Sequence, residues 1–278
     1  MTIIQTISPR AEHLGPLPIR RILPAPERQM VGPFIFMDQG GPITVPYRAD
    51  AGVSEHPHAG LSTFTYLMAG SGYHRDSAGH EQIIETGDIA LMTAGSGITH
   101  EERPDQSENS STREVYFLQL WLALPDERED MPPTFEHHPA ASLPMVRMDG
   151  AELRVLIGEA WGQRAPTSAF VETVFVEMHL DPGCELPIEP DCAERAIFLL
   201  EGDATIGGVD AEPYDLNVLE TGQKPVLATK QGARAILLGG ASFPTPRFVA
   251  GSFVASSEQK IMQWMRDYRA GRFPTLGG

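Results

Sequence analysis

Cysteine is nearly absent from this 278-residue chain: Cys184 and Cys192, separated by seven residues, are the only two. That pair makes neither a disulfide framework nor a zinc signature, so each is expected to be a small buried or surface thiol. Positive charge is also scarce. Twenty-one Lys and Arg face 37 Asp and Glu, for a net charge of -16. Such a surface repels phosphate backbones, which excludes nucleic-acid binding by charge attraction. No apolar run approaches the ~18 residues of a membrane helix. The segment Met1 to Arg10 lacks the apolar stretch of a secretory signal, so a cytoplasmic location is expected. There is no glycine loop followed by Lys-Ser/Thr and no G-x-S-x-G, which removes the P-loop and nucleophile-elbow classes.

Glycine (27) and proline (24) are plentiful and scattered, a pattern of many short strands joined by turns. Candidate strands are 61–68, 89–92, 114–124, 171–180, 195–200, 225–229 and 234–238. Turn signals such as Ala69-Gly70-Ser71-Gly72, Asp181-Pro182-Gly183 and Glu201-Gly202-Asp203 separate them. The fold class is therefore all-β, with strands at barrel-like spacing. One helix is expected near the end. Ser256 and Gln259 form a capping box, Ile261, Trp264, Met265 and Tyr268 follow helical periodicity, and Gly271 stops it. The Pro- and acid-rich stretch 125–144 reads as a linker between two β-domains. An internal echo supports duplication: Tyr66-Leu67-Met68-Ala69-Gly70 resembles Phe198-Leu199-Leu200-Glu201-Gly202.

Histidines number nine, and three fall in two short pairs, His56-Pro57-His58 and His100-Glu101-Glu102. On a strand, side chains at i and i+2 point to one face. Two such pairs on facing strands can therefore close three imidazoles and one carboxylate, that of Glu102, around one ion. Glu101 alternates with the ligands and should point away. Imidazole and carboxylate without thiolate suit iron, nickel, copper, manganese or zinc rather than calcium. Open coordination positions would make the site catalytic. His74 and His80 flank a probable hairpin and either face solvent or line a barrel mouth. His137 and His138 are expected at the surface, and His179 in a sheet.

The segments His56-Pro57-His58-Ala59-Gly60, Met92-Thr93-Ala94-Gly95-Ser96-Gly97-Ile98-Thr99-His100-Glu101-Glu102, Arg21-Ile22-Leu23-Pro24 with Val31-Gly32-Pro33-Phe34, and Asp267-Tyr268-Arg269-Ala270-Gly271-Arg272-Phe273 resemble the pirin family. The resemblance spans about Arg20 to Phe273. It implies a bicupin: two antiparallel β-barrels (double-stranded β-helix), residues 1–130 carrying the metal site and 131–278 without one, plus a short C-terminal helix. It implies one metal on His56, His58, His100 and Glu102, with Fe(2+) expected and nickel, copper, manganese, cobalt and zinc as alternatives.

The resemblance further implies a quercetin 2,3-dioxygenase-like oxidoreductase. It would open a flavonol-like aromatic substrate with dioxygen, with Glu102 as catalytic base. The alternative is a metal-dependent regulatory pirin that docks on a protein partner without turnover. A monomer is expected, with neither nucleic acid nor membrane as partner. Phe64, Tyr66, Met92 and Phe117 are expected to wall the cavity. Two departures from the family pattern, Ala59 where Arg is usual and Ser62 where Glu is usual, are expected beside the site. The stretch 186–195 stands where a second HxH pair would fall but holds no histidine. Its nearby acids, Glu185, Glu189, Asp191 and Glu194, leave the second barrel structural.

Overall fold

Period-2 alternation builds this molecule. In the strand Leu61–Ala69, Ser62, Phe64, Tyr66 and Met68 turn to one side and are buried, while Thr63, Thr65 and Leu67 turn to the other. The computed structural model describes residues 2–47, 52–105, 111–189 and 191–277. The strands of the first half are β1 (Ile3–Ile7), β2 (Arg10–Leu14), β3 (Leu17–Leu23), β4 (Phe34–Pro46), β5 (Val53–His58), β6 (Leu61–Ala69), β7 (Gly72–Asp76), β8 (Glu81–Ile84), β9 (Ile89–Thr93), β10 (Ile98–Pro104), β11 (Thr112–Ala123) and β12 (Thr134–His138). The α-helix among the described residues is α1 (Glu258–Arg269), too short and too polar to cross a membrane.

The chain condenses into two units, each built on β-sheets, one of them also carrying α1. One unit, formed by Ala11–Arg21, Phe36–Ala140 and Pro244–Gly278, has a seven-stranded sheet in the order β12-β9-β6-β11-β4-β3-β2. Its second sheet has four strands, β5-β10-β7-β8. The other unit, formed by Met1–Arg10, Ile22–Ile35 and Ala141–Phe243, again has a seven-stranded and a four-stranded sheet. The echo in the sequence has a structural counterpart. β6 lies between β9 and β11, and Glu194–Gly202 holds the matching interior place in its own sheet. Each is followed by or ends in a left-handed glycine, Gly70 (φ 92°) and Gly202 (φ 87°), where a Cβ would strike backbone.

The units are not cut at residue 130. β1 pairs antiparallel with Leu216–Leu219, which places the N-terminus in the later unit. α1 packs Ile261 and Trp264 on Ala59, Phe253 and Ala255, which places the C-terminus in the earlier one. Nor is 125–144 only a linker, because β12 pairs with β9 as an edge strand.

The helix cap shifts by one residue. Ser257, not Ser256, accepts from the Lys260 backbone N–H. Ser256 is committed elsewhere: its N–H and hydroxyl both donate to the buried carboxylate of Glu129, which also receives Lys260 Nζ at 3.0 Å. Tyr268, expected on the buried stripe, is exposed and meets Phe273 in a T-shaped ring contact.

Inside the C-terminal unit, Leu153, Val155, Val176, Ile197, Leu199 and Leu237 belong to one apolar cluster. The buried thiols of Cys184 and Cys192 belong to the same cluster. Glu194 is engaged by Arg28, the Gly32 N–H and Ser242, and half-exposed His179 lies against Glu177.

Candidate metal centre

β5 and β10 pair antiparallel with His100 opposite His56 and Ile98 opposite His58. This register brings the three imidazoles together, because His56 and His58 share a face and the cross-strand partner of His56 projects beside them. His58 and His100 are buried and His56 is half-buried. The ligand atoms of the three lie within 4.8 Å of one another, and Nε2 of His100 stands 3.0 Å from Nε2 of His56. Two nitrogens each about 2 Å from one ion, at roughly right angles, stand about 3 Å apart.

The remaining ring nitrogens fix the tautomers. His56 Nδ1–H donates to the Ser54 carbonyl at 2.9 Å, and His58 Nδ1–H to the Ser252 carbonyl at 3.1 Å. Both Nε2 atoms therefore carry free lone pairs. Burial, reinforced by neighbouring imidazoles, pushes the His58 and His100 pKa well below the ordinary histidine value. Neutral imidazoles in this arrangement fit a divalent transition metal. Among the described residues this is the cluster of three or more metal-type donors, and it falls on the expected histidines.

Glu102 lines the same cavity without belonging to that cluster. A register shift between His100 and Glu102 sets it opposite Val53 of β5 and His74 of β7. Its Oε1 accepts the Thr65 hydroxyl at 3.2 Å, and the same hydroxyl lies 3.0 Å from Gln119 Oε1. Glu101 turns away as expected and pairs with Arg103.

The cavity measures about 410 Å³. Phe117 lines it, but Phe64 and Tyr66 do not: they sit at the other parity of β6 and are buried on its other face. Met92 shares its parity on β9 with the cavity-lining Ala90, yet it is buried in a cluster with Ala94, Ile98 and Phe135. The walls come instead from the alternate positions Thr63, Thr65, Gln119 and Trp121, with Phe36 from β4. Trp121 stacks on Phe36 (4.2 Å, 16°) and presents its edge geometry to His58 at 5.2 Å. Arg21 covers the far face of Phe36 at 4.8 Å and grips Asp38 through two bonds, 2.8 and 2.9 Å. That carboxylate holds the guanidinium pKa above its usual value. Arg113, farther along β11, also lines the cavity, and burial lowers its pKa.

The two family departures do not face the cavity. Ala59 lies in the apolar cluster under α1, and the Ser62 hydroxyl meets Thr93 at 2.9 Å on the opposite face of β6. His137 bonds Asp88 and His138 bonds Glu136, so both are half-buried strand residues rather than surface ones. Sequence reasoning underrated His74. It lines the cavity and donates to Asp76, which His80 also contacts. Burial tends to raise the Asp76 pKa, but hydrogen bonds from His74 and His80 prevail and hold it below the usual value.

Comparison with known proteins agrees with this architecture. Residues 17–122 match the model of the Pirin domain and 175–274 that of the Pirin C-terminal cupin domain. A pirin-like protein of Caulobacter vibrioides is 36% identical over 266 residues, covering 95% of this chain and 92% of the relative. Human pirin is 31% identical over 262 residues, covering 90% and 86%. The crystal structure of quercetin 2,3-dioxygenase from Acinetobacter baumannii superposes with a TM-score of 0.91 at 33% identity, covering 98% of this chain and 91% of that one. With both halves matched in order and its three histidines converged in the first, this chain belongs to the pirin family.

Proposed function

We propose that this chain is a dioxygenase that opens quercetin-like flavonols, using one iron(II) held by His56, His58, His100 and Glu102. The observation that carries the reading is a cluster of imidazoles beside an aromatic-walled cavity of about 410 Å³. Its likeness to a protein named quercetin 2,3-dioxygenase, across nearly the whole chain, supports the substrate class. Flat aromatic molecules of flavonol size match such a cavity.

When bound, the metal would acidify a coordinated flavonol hydroxyl and supply the site for dioxygen chemistry. The chain's own groups do the rest. The Glu102 carboxylate accepts the hydroxyl proton, and the Thr65 hydroxyl, 3.2 Å from its Oε1, holds that carboxylate in place. Phe36, Phe117 and Trp121 flank the rings and exclude water. Dioxygen oxidises the flavonol, whose central ring opens with loss of carbon monoxide.

The test is quercetin consumption with carbon monoxide release by protein loaded anaerobically with iron(II) and then exposed to oxygen. Turnover that disappears in His100→Ala supports the proposal. Bound metal without turnover overturns it and favours docking on a protein partner.

A further inference from the structure

His100 is held differently from the other two histidines. His56 and His58 each give their Nδ1 proton to a carbonyl. The Nδ1 of His100 is buried and meets no acceptor among the described residues. Metal-ligating imidazoles ordinarily need such a partner to fix ring orientation. Here the neighbouring ring of His74, on the adjacent strand β7, lies 5.3 Å from His100 instead.

His74 is itself locked from two sides. Phe135 of β12 stacks on it at 4.4 Å and 19°. Its Nε2–H donates to Asp76 Oδ2 at 3.1 Å. Asp76 is buried, and its Oδ1 accepts the backbone N–H groups of Ala78 (2.9 Å) and His80 (3.1 Å). His80 then closes the assembly from the surface, with Nδ1 2.9 Å from Asp76 Oδ2 and its ring over Phe135. The His80 side chain is 39% exposed. A continuous set of contacts thus runs from solvent to the third histidine of the cluster. Burying a carboxylate between two imidazoles carries a desolvation penalty that an apolar filler would avoid. The bonds to Oδ1 shape the turn between β7 and β8, whereas the two imidazoles at Oδ2 tie that turn to the ring beside His100.

We propose that His74, Asp76 and His80 are positioning residues of the metal centre, fixing the ring of His100 by packing where carbonyls fix His56 and His58. The inference rests on the reading that these three histidines hold a metal. It is tested on the purified full chain by titration with cobalt(II), reading affinity and the d–d absorption spectrum, alongside thermal unfolding of the metal-free protein. Asp76→Asn should weaken cobalt binding by about 10- to 100-fold. His80→Ala, a change at a part-exposed position that leaves the core intact, should weaken it by about tenfold and shift the d–d bands. His80→Asn, whose amide can donate to Asp76 from much the same place as Nδ1, should restore both. Wild-type affinity and superimposable spectra in His80→Ala and Asp76→Asn would overturn the proposal, even if thermal stability fell. A wild-type protein that fails to bind cobalt would instead overturn the metal reading beneath it.

Discussion

His58 gives its Nδ1 proton to the carbonyl of Ser252, a residue 194 positions later in the chain. Ser252 sits in the turn between the short strands Phe248–Ala250 and Phe253–Ala255, and its hydroxyl donates back to the Pro57 carbonyl at 2.5 Å. The C-terminal segment therefore grips the metal strand at two adjacent residues. Ser252→Ala keeps the carbonyl but removes the hydroxyl tie. Metal affinity, measured by competition with a chromophoric chelator, should fall by less than about tenfold, whereas His58→Ala should abolish binding at micromolar metal.

The depressed pKa values of His58 and His100 set a pH dependence of known sign. Above the unfolded histidine pKa of about 6.5, both folded and unfolded forms are neutral and no penalty arises. As pH falls below that value, the unfolded chain takes up protons that the buried imidazoles refuse. Metal-free protein should then lose about 1.4 kcal/mol per pH unit for each such histidine, until the folded pKa is reached. Urea unfolding of the metal-free protein between pH 7 and 5 measures the slope. His100→Ala should flatten it, and a slope identical to wild type would contradict the assignment.

The anchoring of α1 gives a stability test remote from the cavity. Glu129 is fully buried and receives three donors, from Ser256 N, Ser256 Oγ and Lys260 Nζ. Glu129→Ala leaves buried donors unmatched, and should cost about 2–3 kcal/mol in denaturant unfolding. Glu129→Gln, which retains one acceptor oxygen, should cost less.

The three histidines were legible in the sequence because the i, i+2 rule needs only that both segments be strands. The cavity wall was less legible, for a reason that lies in the same rule. Hydrophobicity cannot say which parity of a strand faces an open cavity and which a packed core. Phe64 and Tyr66 looked like wall residues, yet the polar Thr63 and Thr65 occupy that side. The His74–Asp76–His80 assembly escaped notice for a different reason: Phe135, which completes it, comes from a stretch whose prolines and acids read as linker. The exchanged termini are long-range pairings, with no signature inside the segments that make them.

Glu102 separates binding from chemistry in the proposed reaction. Thr65 fixes its carboxylate, which lines the cavity beside the histidine cluster. Glu102→Gln keeps the shape and loses the base. Flavonol turnover should fall by about 10²- to 10⁴-fold while the three histidines still retain metal. Metal analysis of the same preparations read for turnover makes the distinction, and full turnover with retained metal would remove Glu102 from that role.

Trp121 should govern substrate affinity rather than the chemical step. It stacks on Phe36 at 4.2 Å, and its ring lies 5.2 Å from His58, so it walls the cavity next to the proposed metal. Replacing it with Leu keeps an apolar wall and removes the flat surface against which an aromatic substrate would lie. An aromatic pair contributes about 0.5–1.5 kcal/mol beyond burial, so KM for quercetin should rise by about two- to twelvefold. Metal content should not change, because Trp121 offers no ligand atom. A fall in kcat with KM unchanged would instead mean that the indole steadies His58, and would move Trp121 from the substrate wall to the support of the metal.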